Sequence, residues 1–332
     1  MNDLNDPEPD FGNAANFVPP SIDRVRLQRG ESYSYYSYEP IAISKEYSSS
    51  SCVLGIDEAG RGPVLGPMVY SAFYLPSQLH HTLLRGFNDS KTLTPSVRQT
   101  LMMVLCTPLS ALQDACGWGV KVLSARDISS GMMRPGTGVY NLNAQAMDAT
   151  VEIIRVLVEV RRLNISDVYI DTVGNPATYQ QKLERIFPSL KITVAKKADS
   201  LYPCVSAASI VAKVTRDVAL RVLYESLLEG RSGADDDVQG WGSGYPSEAK
   251  CTNWLKRNMH PVFGWGNECR FSWGTAKDML ELKGGATVDW PVEEDDDRDM
   301  DLKSFLSMSN TTKSDGYDGL RQWYGCKAPE VL

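Results

Sequence analysis

From residue 53 onward, apolar positions fall into short runs separated by polar breaks, and each run carries its own period. VLGID (53–57) and VLGPMVYSAFYL (64–75) flank a glycine-rich break, a pattern that predicts two antiparallel strands joined by a turn. GWGVKVLSA (117–125) predicts a third strand. Thr94-Pro95 ahead of SVRQTLMMVLC predicts a capped helix with proline in its first turn. Helical spacing over 139–163 precedes DVYID (167–171), a buried strand that ends in an acid. A helix opened by Pro176 (176–187), a strand KITVA (191–195) and a long helix from about 204 to 229 complete the pattern. Antiparallel strands first, then strands joined through helices, make a mixed α/β architecture.

The ends read differently. Residues 1–50, with SYSYYSYEP, are rich in Pro, Ser, Asn and Tyr and show little periodicity, so they are expected to be a disordered extension. After Gly230 a polar loop leads through GSGYP to a short helix (247–258) and a Trp-rich segment ending at Trp273. A C-terminal extension (274–332) starts with a helical stretch, TAKDMLELK. The expected division is therefore 1–50, a folded body 51–273, and 274–332.

Composition changes this picture in three ways. At 332 residues and 42% hydrophobic, the chain can build one substantial core plus extensions. Its net charge of −7 argues against a nucleic-acid partner at first sight. Yet DWPVEEDDDRDMD (289–301) holds eight acids and one arginine, −8 + 1 = −7, which leaves the rest formally neutral and free to carry basic patches. The seven cysteines are odd in number, scattered and without a CxxC pair, so neither a disulfide framework nor a zinc ribbon is expected. No apolar segment has membrane-spanning length and the N-terminus is acidic and polar, so the expectation is an intracellular, soluble protein.

Candidate chemistry lies in the acids. Asp57 and Glu58 end one strand, Asp171 ends another, and Asp199 sits between a strand and a helix. Neighbouring strand residues face opposite sides, so Asp57 and Glu58 can converge only where the strand ends or distorts. Acids gathered at one sheet edge repel each other and lose solvation unless cations neutralise them. An oxygen-only donor set favours Mg2+ or Mn2+ over zinc, and His80, His81 and His260 have no ligand spacing. For Asp199 alone, an ordinary helix cap is the commoner role.

Five ordered motifs, DEAGRG (57–62), NDSK (88–91), YIDTVG (169–174), AKKADSLYPCVSAASIVAKVTRD (195–217) and GSGYP (242–246), resemble those of the type 2 ribonuclease H (ribonuclease HII) family in its eukaryotic form. The resemblance covers roughly residues 52–273. It implies a ribonuclease H-like fold, a mixed five-stranded sheet flanked by helices, with a C-terminal helical extension. It also implies an enzyme that cuts RNA in RNA:DNA hybrids and incises DNA 5′ of single embedded ribonucleotides, leaving 3′-hydroxyl and 5′-phosphate ends. Asp57, Glu58, Asp171 and Asp199 match the family's catalytic carboxylates, which bind two divalent ions.

By the same resemblance, Gly60, Arg61 and Gly62 contact a 2′-hydroxyl and Tyr245 stacks on the adjoining sugar. A glycine turn suits this task because the backbone can approach a ribose with no Cβ in the way. Lys91, Lys213 and Arg216 resemble phosphate-holding residues, with a bracing role open for Arg216 and a core-covering role for Tyr245. The small residues of VSAAS read as helix packing. Two accessory subunits, gripping the C-terminal region to form a heterotrimer, and nuclear residence are also implied. A DNA nuclease of the same broad fold would keep the acids without needing Gly60-Arg61-Gly62 and Tyr245. A non-enzymatic nucleic-acid-binding protein would lack at least one acid.

Overall fold

The computed structural model describes residues 17–44, 50–80, 93–108, 110–134, 140–172, 174–229 and 240–282. Along the chain these form α1 (Arg24–Gln28), β1 (Tyr33–Tyr36), α2 (Ile41–Ser44), β2 (Cys52–Ala59), β3 (Met68–Pro76), α3 (Pro95–Cys106) and α4 (Ala111–Ala115). Next come β4 (Gly117–Leu123), α5 (Ala125–Met132), α6 (Leu142–Arg155), β5 (Ile165–Asp171), α7 (Pro176–Ile186) and β6 (Lys191–Ala195). The last described elements are α8 (Ala198–Leu201), α9 (Pro203–Glu229), α10 (Ala249–Asn258) and α11 (Gly274–Leu282).

The strands form one mixed sheet in the order β1-β4-β3-β2-β5-β6. β2 and β3 pair antiparallel from Cys52↔Pro76 to Ala59↔Val69, whereas β5 and β6 extend the sheet in parallel with β2. Helix starts follow the local code: Thr94 and Asn175 accept backbone N–H bonds as caps, with Pro95 and Pro176 in the first turns behind them.

Three expectations need correction. The sheet has six strands rather than five, and the sixth comes from the segment expected to be disordered. β1 pairs antiparallel with β4, Tyr33 opposite Val122 and Tyr36 opposite Gly119. Its tyrosines count as polar in a compositional reading, yet aromatic side chains are good strand formers. Tyr33 is 4% exposed and its hydroxyl donates to the Ser21 carbonyl at 3.0 Å. Ser32 and Ser34 donate to Asp127 and Glu152, partners about a hundred residues away that no local pattern announces. Residues 1–16 lie outside the described residues. At the other end, Ala276 of α11 is fully buried, so the start of the C-terminal extension belongs to the body.

Side-chain alternation along β2 sends Val53 and Ala59 toward α9, and Cys52, Leu54 and Ile56 toward the face covered by α5, α6 and α7. Gly55 is where β2 meets α9. A Cβ there would stand 2.3 Å from the Cys204 carbonyl carbon and 2.5 Å from Val205 N, so strand and helix touch backbone to backbone. Ser71 Oγ donates to the Ala208 carbonyl at 2.5 Å, a second tie between sheet and helix. This close approach, which the small residues of α9 permit, fixes the position of Asp57 two residues farther on. Among the described residues no helix is long and apolar enough to cross a membrane.

Candidate active site

β2 and β5 run side by side, with Ile56 paired to Ile170. The next residue on each strand is an acid, so Asp57 and Asp171 emerge at the same level on the same face. β5 in turn pairs with β6, Asp171 opposite Ala195. After β6 the chain bends through Lys197, which adopts a left-handed backbone (φ +58°). That bend returns the Ala198 N–H to Asp171 Oδ1 at 2.8 Å and sets Asp199 into α8. Non-glycine residues pay for this conformation, roughly 1–2 kcal/mol, and the joint persists because the surrounding contacts determine it.

Asp57 and Asp199 are 5% and 2% exposed. Burial pushes the Asp57 carboxyl up to about 7, and the negative charges of Asp171 and Asp199 push the same way. The Glu58 N–H, donating to Asp57 Oδ1 at 2.7 Å, and the nearby Ser209 hydroxyl oppose the rise. Ser209 Oγ is buried and lies outside strict hydrogen-bond geometry, so its help is modest. Glu58, one residue on, faces the other side of the sheet opposite Tyr70. There it lines a cleft of about 560 Å³ together with Arg61, Asn143, Asp171, Tyr179 and Lys182. Asp171 therefore belongs to both sides, edging the cleft and feeling the charge on Asp57.

Among the described residues no three His, Cys, Asp or Glu side chains are already closed into a metal-ligand set. The fold gathers the acids at one sheet edge without assembling a coordination shell. The donor chemistry nevertheless fits hard divalent cations: the groups are carboxylates, and Asp57 carries the penalty of negative charge without a counter-ion.

The glycine loop is held from behind. Arg270 donates Nη2 to the Gly60 carbonyl at 2.6 Å, Nη1 to the Arg61 carbonyl at 3.0 Å and Nε to the Gly66 carbonyl at 3.0 Å. Trp273 Nε1 donates to the Gly62 carbonyl at 2.9 Å, and its ring lies under the Arg270 guanidinium, 4.8 Å from carbon to centroid. Arg270 is fully buried. Burial and the neighbouring Arg216 charge lower its pKa to about 9, which leaves it cationic at neutral pH. Sequence reading did not single out Arg270 or Trp273; the sole signal was an arginine inside a tryptophan-rich segment.

Gly60 has φ +81°, and a Cβ there would meet the Pro67 carbonyl at 2.7 Å, so this corner requires glycine. Tyr245 is 40% exposed and lies over Gly62, its Cε1 3.0 Å from where a Cβ would stand. The GSGYP loop is joined to the glycine loop by the Val64 N–H, which donates to the Gly244 carbonyl at 2.9 Å. Arg216, 4% exposed, donates to the carbonyls of Leu65 and Ser243 and pairs with Asp217 at 3.3 Å. It braces one loop against the other, and its Nε, beside Gly60, has no protein acceptor. Lys213, one turn earlier on α9, is half-buried. Lys91 lies outside the described residues.

The model of the family "Ribonuclease HII" matches residues 54–276. A ribonuclease H2 subunit of Neurospora crassa is 54% identical over 319 residues, covering 95% of this chain and 96% of that protein. Among solved structures, ribonuclease H2 from Pyrococcus horikoshii superposes with a TM-score of 0.55 at 27% identity, over 70% of this chain and 98% of the other. A ribonuclease HIII in complex with Mn2+ shares the fold at 18% identity and a TM-score of 0.50, covering 74% of each chain. By sequence and by architecture, this chain belongs to the ribonuclease HII family of nucleases, enzymes that hydrolyse phosphodiester bonds.

Proposed function

We propose that this enzyme hydrolyses RNA in RNA:DNA hybrids and incises DNA on the 5′ side of single embedded ribonucleotides, leaving 3′-hydroxyl and 5′-phosphate ends. One observation carries the reading: the buried Asp57 of β2 and Asp199 of α8, with the half-buried Asp171 of β5, lie beside a glycine loop whose carbonyls are pinned and whose open side is roofed by Tyr245. A 2′-hydroxyl both donates and accepts hydrogen bonds, and a fixed backbone turn with no Cβ can test for it. Tyr245 offers an aromatic face to the sugar. The ammonium of Lys213 suits phosphate oxygens and Lys91 is proposed for the same task, while Arg216, buried with its guanidinium on the Leu65 and Ser243 carbonyls, serves substrate binding by bracing the two loops.

Asp57, Glu58, Asp171 and Asp199 would hold two divalent ions, Mg2+ or Mn2+, which supply activation of water and charge stabilisation of the departing oxygen. The residues of the chain do the positioning. α9 against Gly55 sets Asp57, the Lys197 joint sets Asp171 and Asp199, and Arg270 with Trp273 sets the loop that chooses the bond.

The relatives are named as single subunits of ribonuclease H2, which fits assembly with other chains. Two accessory subunits bound through residues 274–332 are part of this proposal, as is nuclear residence. That region lies outside the described residues beyond Leu282. The test compares cleavage, with Mg2+, of a duplex holding one ribonucleotide, an RNA:DNA hybrid and an all-DNA duplex. Incision of the first two and not the third is the expected result. Equal cutting of all-DNA would favour a general DNA nuclease of the same fold.

The acids also give a pH signature. In chelator, the melting temperature should fall as pH rises from about 5 to 7. The folded Asp57 carboxyl, raised to about 7, keeps a proton that the unfolded chain releases near pH 4, so raising pH through this window favours unfolding. Asp127, Asp167 and Glu248, whose pKa values are lowered, act in the opposite sense but below that window. Added Mg2+ should stabilise more at pH 8 than at pH 5. A flat profile by scanning fluorimetry, with no response to Mg2+, would contradict the assignment of Asp57.

A further inference from the structure

Arg61 is held at both ends. Its carbonyl accepts from Arg270, and its Nη2 donates across the cleft to Asn143 Oδ1 at 2.5 Å. A free arginine side chain on a glycine loop would sample many rotamers, and this one gives that freedom up. The Tyr70 hydroxyl stands beside the same guanidinium, and Tyr70 is the cross-strand partner of Glu58, so the arginine rests on the floor that carries the cleft's acid.

Asn143 is itself placed with care. It lies in the first turn of α6, where the Asn141 side chain accepts from the backbone N–H groups of Asn143 and Ala144, both at 3.0 Å. Gln145, 5% exposed, bolts that turn down by donating to the carbonyls of Ile128 at 3.2 Å and Tyr140 at 3.0 Å. A buried glutamine whose amide serves two carbonyls is a costly way to start a helix unless the position of that start matters. An arginine has no acceptor atom, so only Oδ1 of Asn143 can face it, and the amide orientation is fixed by the pairing.

We propose that Asn143 is a positioning residue that holds the Arg61 guanidinium across the cleft, so that its remaining N–H donors meet the nucleic-acid strand bound beside Glu58 and Asp171. This rests on the functional reading above and deepens it: substrate grip by Arg61 depends on a helix more than eighty positions away in the chain. Asn143 is exposed and its replacement leaves the core untouched.

The test is a double-mutant cycle on the single-ribonucleotide duplex with Asn143→Ala, Arg61→Ala and both together. Asn143→Ala alone should raise KM roughly tenfold with kcat little changed, the mark of lost uniform binding. In the Arg61→Ala background the same change should have less than about a twofold effect, because the partner it positions is gone. Independent, additive losses, or full activity of Asn143→Ala, would overturn the proposal. A general weakening of α6 would appear as a lower melting temperature and equal losses in both backgrounds, and so counts against it. If the wild-type enzyme fails to incise at the ribonucleotide, the functional reading falls; if it incises and the cycle is additive, only the role of Asn143 falls.

Discussion

Asp57→Asn should slow cleavage at a single ribonucleotide by about a thousandfold or more while making the metal-free protein more stable. The two effects have opposite signs because the same carboxylate is costly to the fold and needed by the chemistry. Its pKa is raised to about 7, first by burial and then by Asp171 and Asp199, so at alkaline pH the folded state bears an ionised group it would rather keep protonated. Asparagine keeps the shape and an oxygen for the Glu58 N–H, and removes the charge. The gain in chelator at pH 8 is expected to be on the order of a few kcal/mol. Each kcal/mol is worth roughly 2–4 °C in a body of this size. Single-turnover cleavage in Mg2+ and thermal melts in chelator measure the two halves separately. A variant that cuts at near wild-type rate, or that melts lower without metal, would mean that Asp57 is an ordinary structural acid.

The parts of this molecule that were legible in the sequence are those whose cause is local. β2, β5 and β6 announce themselves as apolar runs, α3 and α7 by a capping residue followed by proline, and α9 by its small residues and length. The four acids were legible because each closes or follows a strand, and register alone then brings Asp57 and Asp171 level. What stayed hidden depends on distant partners. β1 is a strand because β4 offers it an edge, and its tyrosines and serines find partners far along the chain. Arg216 could be read as a phosphate contact or a brace, and only the carbonyls of Leu65 and Ser243 reveal the brace. Asn143 carries no signal beyond its place near a helix start, since its partner is on another element.

Arg270 is the extreme case, with hydrogen-bond partners more than two hundred positions earlier, and its replacement is the second large effect expected. Arg270→Gln removes a fully buried cation from three carbonyls and from the face of Trp273. Glutamine is shorter and cannot serve Gly60, Arg61 and Gly66 together, so buried acceptors are left unmatched at a cost on the order of several kcal/mol. The loop would then lose its fixed height above the acids. A displacement near 1 Å at a positioning element costs about a hundredfold in rate, and a loss of that size is expected for ribonucleotide incision. Because Arg270→Gln risks a general loss of folding, Trp273→Phe provides the finer probe. It keeps an aromatic ring beneath Arg270 and deletes one donor, the Nε1–H bound to the Gly62 carbonyl. That variant should melt close to wild type yet incise roughly tenfold more slowly, because the glycine that faces Tyr245 is freed from behind. Affinity for an all-DNA duplex, which offers the loop no 2′-hydroxyl, should be unchanged. Full activity of Trp273→Phe would mean that the pinned carbonyls secure the fold alone and that selection of the ribose lies elsewhere.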